Sequence, residues 1–264
     1  MPIRKPIFIT PLDLGTIATG NAQTGFPVTH LNRHKAIGLV WKTTGNTNVW
    51  ARGQFSASRA IDFCAIVSAN ALAGTQFRLR LGTSQAQVDG TAPYDSGALT
   101  FISPSITRED GRYHSHLEIG TVQNATWWRI DITGHTGDFQ ASNLVLGSKV
   151  EPSRFYNADF EFGVEDLGSA EFTRFGVMNE EPGVILRTAT FSLAWQTEAE
   201  FEASFRPMME KLGKRGVLYS VFDPDPTTYR QSKTFMGILR KPLFARAMRK
   251  PKTYQQDFDI LSFI

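Results

Sequence analysis

The chain has 264 residues, of which 41% are hydrophobic and 20% are charged. These proportions are ordinary for globular proteins and exclude a chain that is disordered throughout. The formal net charge of +3 is too small to indicate a nucleic-acid-binding protein, although the sequence pI is about 9.0. The only cysteine, Cys64, excludes an internal disulfide and a thiolate zinc cluster.

The N-terminal sequence predicts neither export nor a membrane anchor. Two basic residues, Arg4 and Lys5, precede an apolar run that ends after three residues at Thr10, so the hydrophobic core of a signal peptide is missing. No stretch approaches the about 20 apolar residues that a membrane-crossing helix requires. We therefore expect no contact with a membrane.

Residues 1–35 predict an extended N-terminal segment. Three glycines and two prolines fall between residues 11 and 27, together with several Thr and Asn residues. This composition favours turns over regular secondary structure.

From residue 36 to residue 150 the pattern is that of many short strands. Apolar and polar residues alternate in 49–55, 76–81 and 128–133, as in strands with one buried face, and 61–67 is almost continuously apolar. Turn signals that contain Gly or Asp separate these runs. The spacing predicts a β-sandwich of the jelly-roll kind, with no helix between residues 36 and 147.

A polar stretch with a proline, residues 147–153, marks the predicted boundary between two domains. The second domain, residues 151–264, begins with an alternating run that places Ala158, Phe160, Phe162 and Val164 on one face. Further strands are predicted over 172–177, 184–194, 217–222, 233–239 and 254–260.

One helix is predicted near residues 198–212. Thr197 suits the N-cap position, and Glu200 three residues later completes a capping box. Gly213 can end the helix in the left-handed conformation, whereas Pro207 predicts a kink or a helix in two pieces. An apolar stripe runs along one helical face and consists of Phe201, Phe205, Met208, Met209 and Leu212.

Residues with catalytic or metal-binding chemistry form no recognisable constellation. His114 and His116 have the spacing to face one metal ion from a strand, but no third ligand accompanies them, and a polar strand face is the favoured interpretation. Asp223 and Asp225 resemble paired catalytic carboxylates. Their Asp-Pro-Asp-Pro run is typical of a turn, however, and a turn explains both residues without catalysis. Cys64 lies in an apolar run and is expected to be buried and unreactive. The sequence therefore predicts a protein that is not an enzyme and that uses no metal or other cofactor.

Aromatic residues of the first domain suggest a carbohydrate-binding surface. Trp50, Tyr94 and Trp128 lie in or beside its strands, where an exposed ring can stack on the face of a sugar. Trp50 has the polar parity of its strand, opposite Val49 and Ala51. Core packing or contact with another subunit is the alternative for these rings, since tryptophan is usually mostly buried.

A cluster of basic residues lies near the end of the sequence, at Arg240, Lys241, Arg246, Arg249, Lys250 and Lys252. Phe244 lies among them, but basic and aromatic residues do not alternate periodically. We expect a solvated loop or the charged rim of a subunit interface rather than a contact with nucleic acid.

Residues 36–150 resemble the discoidin or galactose-binding type of jelly roll, as such modules occur in tail proteins of phages and gene transfer agents. The resemblance rests on the order and spacing of the segments 37–42, 61–67, 77–81, 128–132 and 144–147. The remainder is similar to the tail-tube-like domain of distal tail proteins in long-tailed phages, through the segments 198–212, 216–223 and 256–260. In those proteins the tube-like domain precedes the sandwich, whereas here it follows.

The resemblance implies a structural protein of a phage-like virion, made in the host cytoplasm and placed in the tail tip or baseplate. Tail-tube-like domains assemble as rings, which implies a trimer or a hexamer of this chain and, as further partners, the tail tube and the hub. The expected subunit contacts are Phe160, Phe162, Phe258 and Ile260. The alternative is a glycan-binding module that attaches to a host surface through Trp50, Tyr94 or Trp128.

Overall fold

The computed structural model describes residues 4–157 and 159–264. The chain folds into two compact units. The first unit comprises Ile9–Lys149 and Pro224–Ser232, and the second comprises Val150–Asp223 and Lys233–Ile264 with the N-terminal residues up to Phe8. This division does not test the domain boundaries predicted after residues 35 and 150, which stay predictions. Ala158, predicted to share a face with Phe160, lies outside the described residues.

Most of the regular structure is strand, and the predicted fold class, mainly β, is confirmed. The strands up to residue 150 are β1 (Ile7–Ile9), β2 (Thr16–Thr19), β3 (Trp41–Lys42), β4 (Trp50–Val67), β5 (Gln76–Gly82), β6 (Tyr94–Asp95), β7 (Leu99–Thr100), β8 (Leu117–Thr133), β9 (Gln140–Ala141), β10 (Asn143–Gly147) and β11 (Lys149–Val150). The later strands are β12 (Glu161–Asp166), β13 (Ser169–Phe172), β14 (Met178–Glu181), β15 (Ile185–Thr197), β16 (Val217–Val221), β17 (Thr234–Leu239), β18 (Ala245–Ala247) and β19 (Thr253–Ser262).

The helical segments within the described residues are all short. They are a 3-10 turn (Val28–Asn32), α1 (Gln85–Asp89), α2 (Glu198–Glu200) and α3 (Arg206–Leu212), with a π-helical turn (Phe201–Phe205) that joins α2 to α3. None of them is long and apolar enough to span a membrane.

The first unit is a jelly-roll β-sandwich built on a seven-stranded antiparallel sheet. Its strand order is β10-β4-β8-β5-β6, with β2 beside β4 and β7 beside β5. The predicted alternation assigns the two faces correctly. On β8, Trp128, Ile130 and Ile132 are buried in the core, whereas Arg129 and Asp131 between them lie on the outer face.

One prediction for this part of the chain is wrong. A short helix, α1, forms between residues 36 and 147, and the Ser84 hydroxyl caps it by accepting a hydrogen bond from the Gln87 amide at 3.4 Å. The extended N-terminal segment over residues 1–35 stays a prediction, and within it the side chains of Leu14 and Leu31 are fully buried in the core of the first unit.

The second unit is built on an eight-stranded sheet in the order β11-β1-β16-β17-β19-β15-β12, with β18 beside β19. The predicted helical stripe packs on this sheet, and four of its five side chains, those of Phe201, Phe205, Met208 and Leu212, are buried. The start and the end of the helical stretch also follow the prediction. The Thr197 hydroxyl accepts from the Glu200 amide at 3.2 Å, and Gly213 follows α3 with a φ of 47°.

Pro207 is the second residue of α3 and directly follows the π-helical turn, within a helical stretch that runs from Glu198 to Leu212. The irregularity of the helix is the π-helical turn that precedes it. The capping box is incomplete, because the Glu200 carboxylate accepts hydrogen bonds from the backbone amide and the hydroxyl of Ser153, at 2.7 and 2.6 Å.

Two of the four predicted interface residues are wrong. Phe258 and Ile260 are fully buried in the core of the second unit, where the Phe258 ring stacks on Phe191 with 4.7 Å between centroids. The alternation along β19 gave these residues an apolar face, and the chain's own strands cover that face. The strand predicted over 172–177 is also wrong, because residues 173–177 form the turn between β13 and β14, with Gly176 at a φ of 76°.

Candidate functional site

A cleft of about 510 Å³ opens in the first unit, where β4 begins and β8 ends. Its size lies in the usual range for small-molecule sites. The lining combines one indole with charged, amide and hydroxyl groups and consists of Asn46, Asn48, Val49, Trp50, Arg129, Asp131, Ile132, Thr133, Gly134, His135 and Thr136.

Strand register brings the aromatic and charged groups of the cleft together. Trp50 pairs with Asp131, and Arg52 pairs with Arg129, so that all four side chains project from the same outer face of the sheet. Gly20 lies directly against the indole, because a Cβ at this position would come within 2.2 Å of the Trp50 Nε1. A residue without a side chain is therefore required beside Trp50.

Two guanidinium groups lie over the Trp50 ring. The Cζ atoms of Arg52 and Arg129 are 5.2 and 4.7 Å from the ring centroid, which are distances of cation–π interactions. These contacts hold the half-buried indole in place at the wall of the cleft.

Acidic residues fix the same arginines. Asp89 accepts hydrogen bonds from Arg52 and from Arg129, the latter at 2.6 Å, and these bonds lower the pKa of Asp89 to about 2. Asp131 accepts from the Arg80 Nη2 at 2.7 Å and from the Arg129 Nη2 at 2.8 Å. The outer face of the sheet thus carries a network of ion pairs.

His135 has a structural role at the rim of the cleft. Its Nδ1 lies 3.0 Å from the Thr75 hydroxyl, and the Asn46 side-chain amide donates to the His135 carbonyl at 3.2 Å. Burial lowers the pKa of His135, so the imidazole is neutral at physiological pH.

Of the three residues predicted to bind a glycan, Trp50 alone lines the cleft. The prediction for Trp128 is wrong: the indole is fully buried in the core, and its Nε1 donates to the Leu14 carbonyl at 3.1 Å. Tyr94 lies on β6, where it pairs with Leu81 and packs half-buried against the core. The structure therefore does not bring the three rings together.

The sequence's other candidate groups each have structural partners. The Ser68 amide donates to the Nδ1 of His114 at 3.0 Å, and the Nε2 of His116 lies 3.0 Å from the Glu118 carboxylate. Asp223 forms an ion pair with Lys233 at 3.2 Å. Cys64 is buried as predicted, and burial raises the pKa of its thiol. Residues 4–157 and 159–264 contain no group of three or more His, Cys, Asp or Glu side chains placed to hold a metal ion.

A second candidate surface, here named the arm, lies in the second unit and comprises residues 161–185. It consists of β12, the β13–β14 hairpin and their connections. Every residue from 169 to 185 is exposed, and the rings of Phe172 and Phe175 are 75% and 77% accessible to solvent. The exposed apolar side chains of the arm are Phe162, Val164, Leu167, Phe172, Phe175, Val177, Met178, Val184 and Ile185.

Phe160 and Phe162 are predicted interface residues. Phe160 lies just before the arm, and Phe162 is the second residue of the arm. Both are exposed, at 40% and 44%, and Phe162 also stacks on the buried Phe235 with 5.3 Å between centroids. Their role in an interface stays a prediction. Sequence reasoning missed the hairpin itself, although Gly168 and Gly183, which bracket it, are turn signals that indicate its two ends.

No protein-family model matches the chain, and no curated protein matches it in sequence. Among solved structures, chitosan-binding module 1 of a chitosanase/glucanase from Paenibacillus sp. IK-5 is 13% identical, with a TM-score of 0.37, over 53% of this chain and 98% of that module. A fucose-binding module of Streptococcus pneumoniae is 9% identical, with a TM-score of 0.39, over 52% of this chain and 95% of its own. A chain from the complex of reduced XRCC1 with the DNA polymerase β catalytic domain has 11% identity and a TM-score of 0.39, over 52% of this chain and 99% of that one. The chitosan and fucose binding that these modules are named for is a property of those modules and is not assigned to this chain.

Proposed function

We propose that the chain is a non-catalytic structural subunit that self-associates into a ring in the tail tip or baseplate of a phage-like particle. The arm is the observation that carries self-association, because its apolar side chains are exposed to solvent, Phe172 and Phe175 at 75% and 77%. Contiguous apolar surface of this kind marks an interaction site in a folded protein. The placement in a tail tip, with the tail tube and hub as further partners, is supported by the resemblance of the sequence segments to distal tail proteins.

The sheet of the second unit supports the same proposal. β12 is the last strand of the sheet and pairs only with β15 among the described strands. A strand at a sheet edge presents backbone groups that can pair with another chain. The exposed Phe162 and Val164 on this strand add an apolar contribution to such a contact.

Light scattering over a concentration series tests self-association directly. We expect the wild-type chain to reach a discrete mass of three or six copies. The double substitution Phe172→Ser and Phe175→Ser should leave a monomer with an unchanged melting temperature, because both rings are exposed in the single chain.

Leu72→Ser is the matched control, since Leu72 is an exposed apolar residue of the first unit, at 46%. This variant should associate like the wild type. A wild-type chain that stays monomeric at every concentration would contradict the proposed function.

The cleft beside Trp50 favours a second candidate function, attachment to a glycan of a host surface. Saccharide sites commonly combine an aromatic wall with planar hydrogen-bonding groups, and the cleft offers the Trp50 indole together with the amides of Asn46 and Asn48 and the carboxylate of Asp131.

A glycan array with purified protein tests this second function. We expect Trp50→Ala to abolish binding, because it removes the wall of the cleft. Trp127→Ala is the control, because Trp127 is also half-buried on the sheet but does not line the cleft. Equal binding by both variants, or none by the wild type, would exclude the cleft as a glycan site.

A further inference from the structure

We infer that the arm of one copy docks on residues 240–252 of a second copy, a stretch here named the basic segment. This inference rests on the proposed self-association and identifies the surface that receives the arm.

The basic segment carries positive charge only, and its charged side chains are exposed. It contains six basic residues and no acidic residue, and all six basic side chains are exposed. Phe244 within it is also exposed, at 67%, so the segment offers an apolar contact beside its positive charge.

Part of this positive charge has no ion-pair partner among the residues that the structure describes. Lys241, Arg249 and Lys250 make no ion pair with any residue in the described part of the chain. The ion pairs of the other three basic side chains are those of Arg240 with Glu165 and Asp259, Arg246 with Asp257 and Lys252 with Glu198.

The arm has the opposite charge. Residues 161–185 contain six acidic residues and a single basic one, Arg174. Glu171, Glu180 and Glu181 are exposed and form no ion pair with the described residues. The arm therefore combines an apolar surface with unneutralised negative charge, which complements the basic segment in both respects.

A groove at the base of the arm offers a place where a basic side chain of the second copy can bind. Its volume is about 510 Å³, and the carboxylates of Asp166, Glu180 and Glu181 lie among its lining residues beside Met178 and Pro182. A long basic side chain fits such a groove, because its methylene stem packs on the apolar residues while its head reaches the carboxylates.

The strands that carry the arm and the basic segment lie on either side of β19, and the ion pair of Arg240 with Glu165 joins the near ends of the two surfaces within one chain. β15 occupies one side of β19, and β12 continues the sheet on that side. β18, which lies in the basic segment, pairs with residues 254–256 of β19 and therefore occupies the other side. Contacts between two different complementary surfaces are head-to-tail contacts, and such contacts close into rings when the rotation between copies allows it.

Charge reversal in the full-length chain tests the inference, with the dissociation constant measured by sedimentation. Reversing the arm (Glu180→Lys with Glu181→Lys) or the basic segment (Arg249→Glu with Lys250→Glu) should weaken self-association by about tenfold or more, because each creates like charges across the contact. A chain that carries all four substitutions should associate like the wild type, since its contacts are again between opposite charges. Lys214→Glu with Arg215→Glu is the matched control, as both residues are exposed and basic in the same unit but lie outside the basic segment.

Restoration of association in the fourfold variant, together with an unaffected control, supports the contact. If the wild type forms a ring and neither reversal weakens it, the contact between arm and basic segment is wrong, although the proposed function stands. If weakened association is not restored by the fourfold variant, the two surfaces do not meet. A wild-type chain that remains monomeric overturns both this inference and the proposed function.

Discussion

At the scale of single residues, glycines determine where the large rings can lie. Gly53 on β4 is directly opposite Trp128 on β8, and a Cβ at residue 53 would lie 2.5 Å from the indole carbons. The buried indole therefore occupies space that any other residue at position 53 would take, and its hydrogen bond to the Leu14 carbonyl fixes it there.

Gly53→Ala is expected to destabilise the first unit by about 1–3 kcal/mol, as overpacking of a filled core does. The measurement is the free energy of unfolding in urea, followed by tryptophan fluorescence. Gly120→Ala is the matched comparison, because Gly120 also lies on a strand of this sheet without a positive φ, and no atom lies within 4 Å of a Cβ there. Equal loss in the two variants would mean that contact with the indole does not set the cost.

The two tryptophans show what alternation predicts and what it leaves open. Trp128 shares its parity with Ile130 and Ile132, so the pattern itself places the indole in the core. The polar parity of Trp50 correctly predicts the outer face of the sheet. The cleft around it depends on Arg129 and Asp131 from a strand distant in sequence, and no local pattern specifies the register that brings them together.

At the scale of elements, the base of the arm depends on the close approach of two chain segments. A Cβ at Gly183 would lie 1.9 Å from the Gly168 amide nitrogen. The adjacent hydrogen bond from the Leu167 amide to the Val184 carbonyl, at 3.1 Å, holds the two segments together.

Gly183→Ala is expected to open the base of the arm and to weaken self-association by about tenfold, the size of effect typical of a substitution at an interface anchor. The melting temperature should not change, because residues 169–185 bury no side chain within the chain. Sedimentation and thermal unfolding measure the two effects separately. Asn179→Ala, on the exposed hairpin but outside the lining of the groove, should leave both unchanged.

The helix and the arm differ in how far sequence predicts them. Capping at Thr197, the apolar stripe and the stop at Gly213 are local signals, and the structure follows all three. Between residues 172 and 177 the apolar residues predicted a strand, but a hairpin turn forms there. Propensity assigns such residues to a sheet face, and it carries no information on whether the chain supplies anything to cover that face.

At the scale of the whole molecule, a loop distant in sequence completes the first unit. The side chain of Gln231 accepts a hydrogen bond from the His114 amide at 2.8 Å and donates one to the His114 carbonyl at 2.6 Å. Both residues are buried, and residues 224–232 belong to the first unit.

Gln231→Ala should lower the stability of the first unit by about 1–3 kcal/mol, because it leaves a buried amide and a buried carbonyl without partners. Urea unfolding followed by fluorescence measures this loss. Thr228→Ala changes an exposed residue of the same loop and should have no effect. An equal effect of the two substitutions would argue against the paired hydrogen bonds as the cause.

The division of the chain into two units also bears on how the protein is synthesised. β1 lies between β11 and β16 in its sheet, so the N-terminal strand lacks one of its neighbours until residues 217–221 have left the ribosome. The first unit likewise lacks Pro224–Ser232 while the ribosome is still translating the residues that follow Lys149. Neither unit is continuous in the order of translation, so the first unit is incomplete until residue 232 has been synthesised, and no single proteolytic cut releases either unit intact.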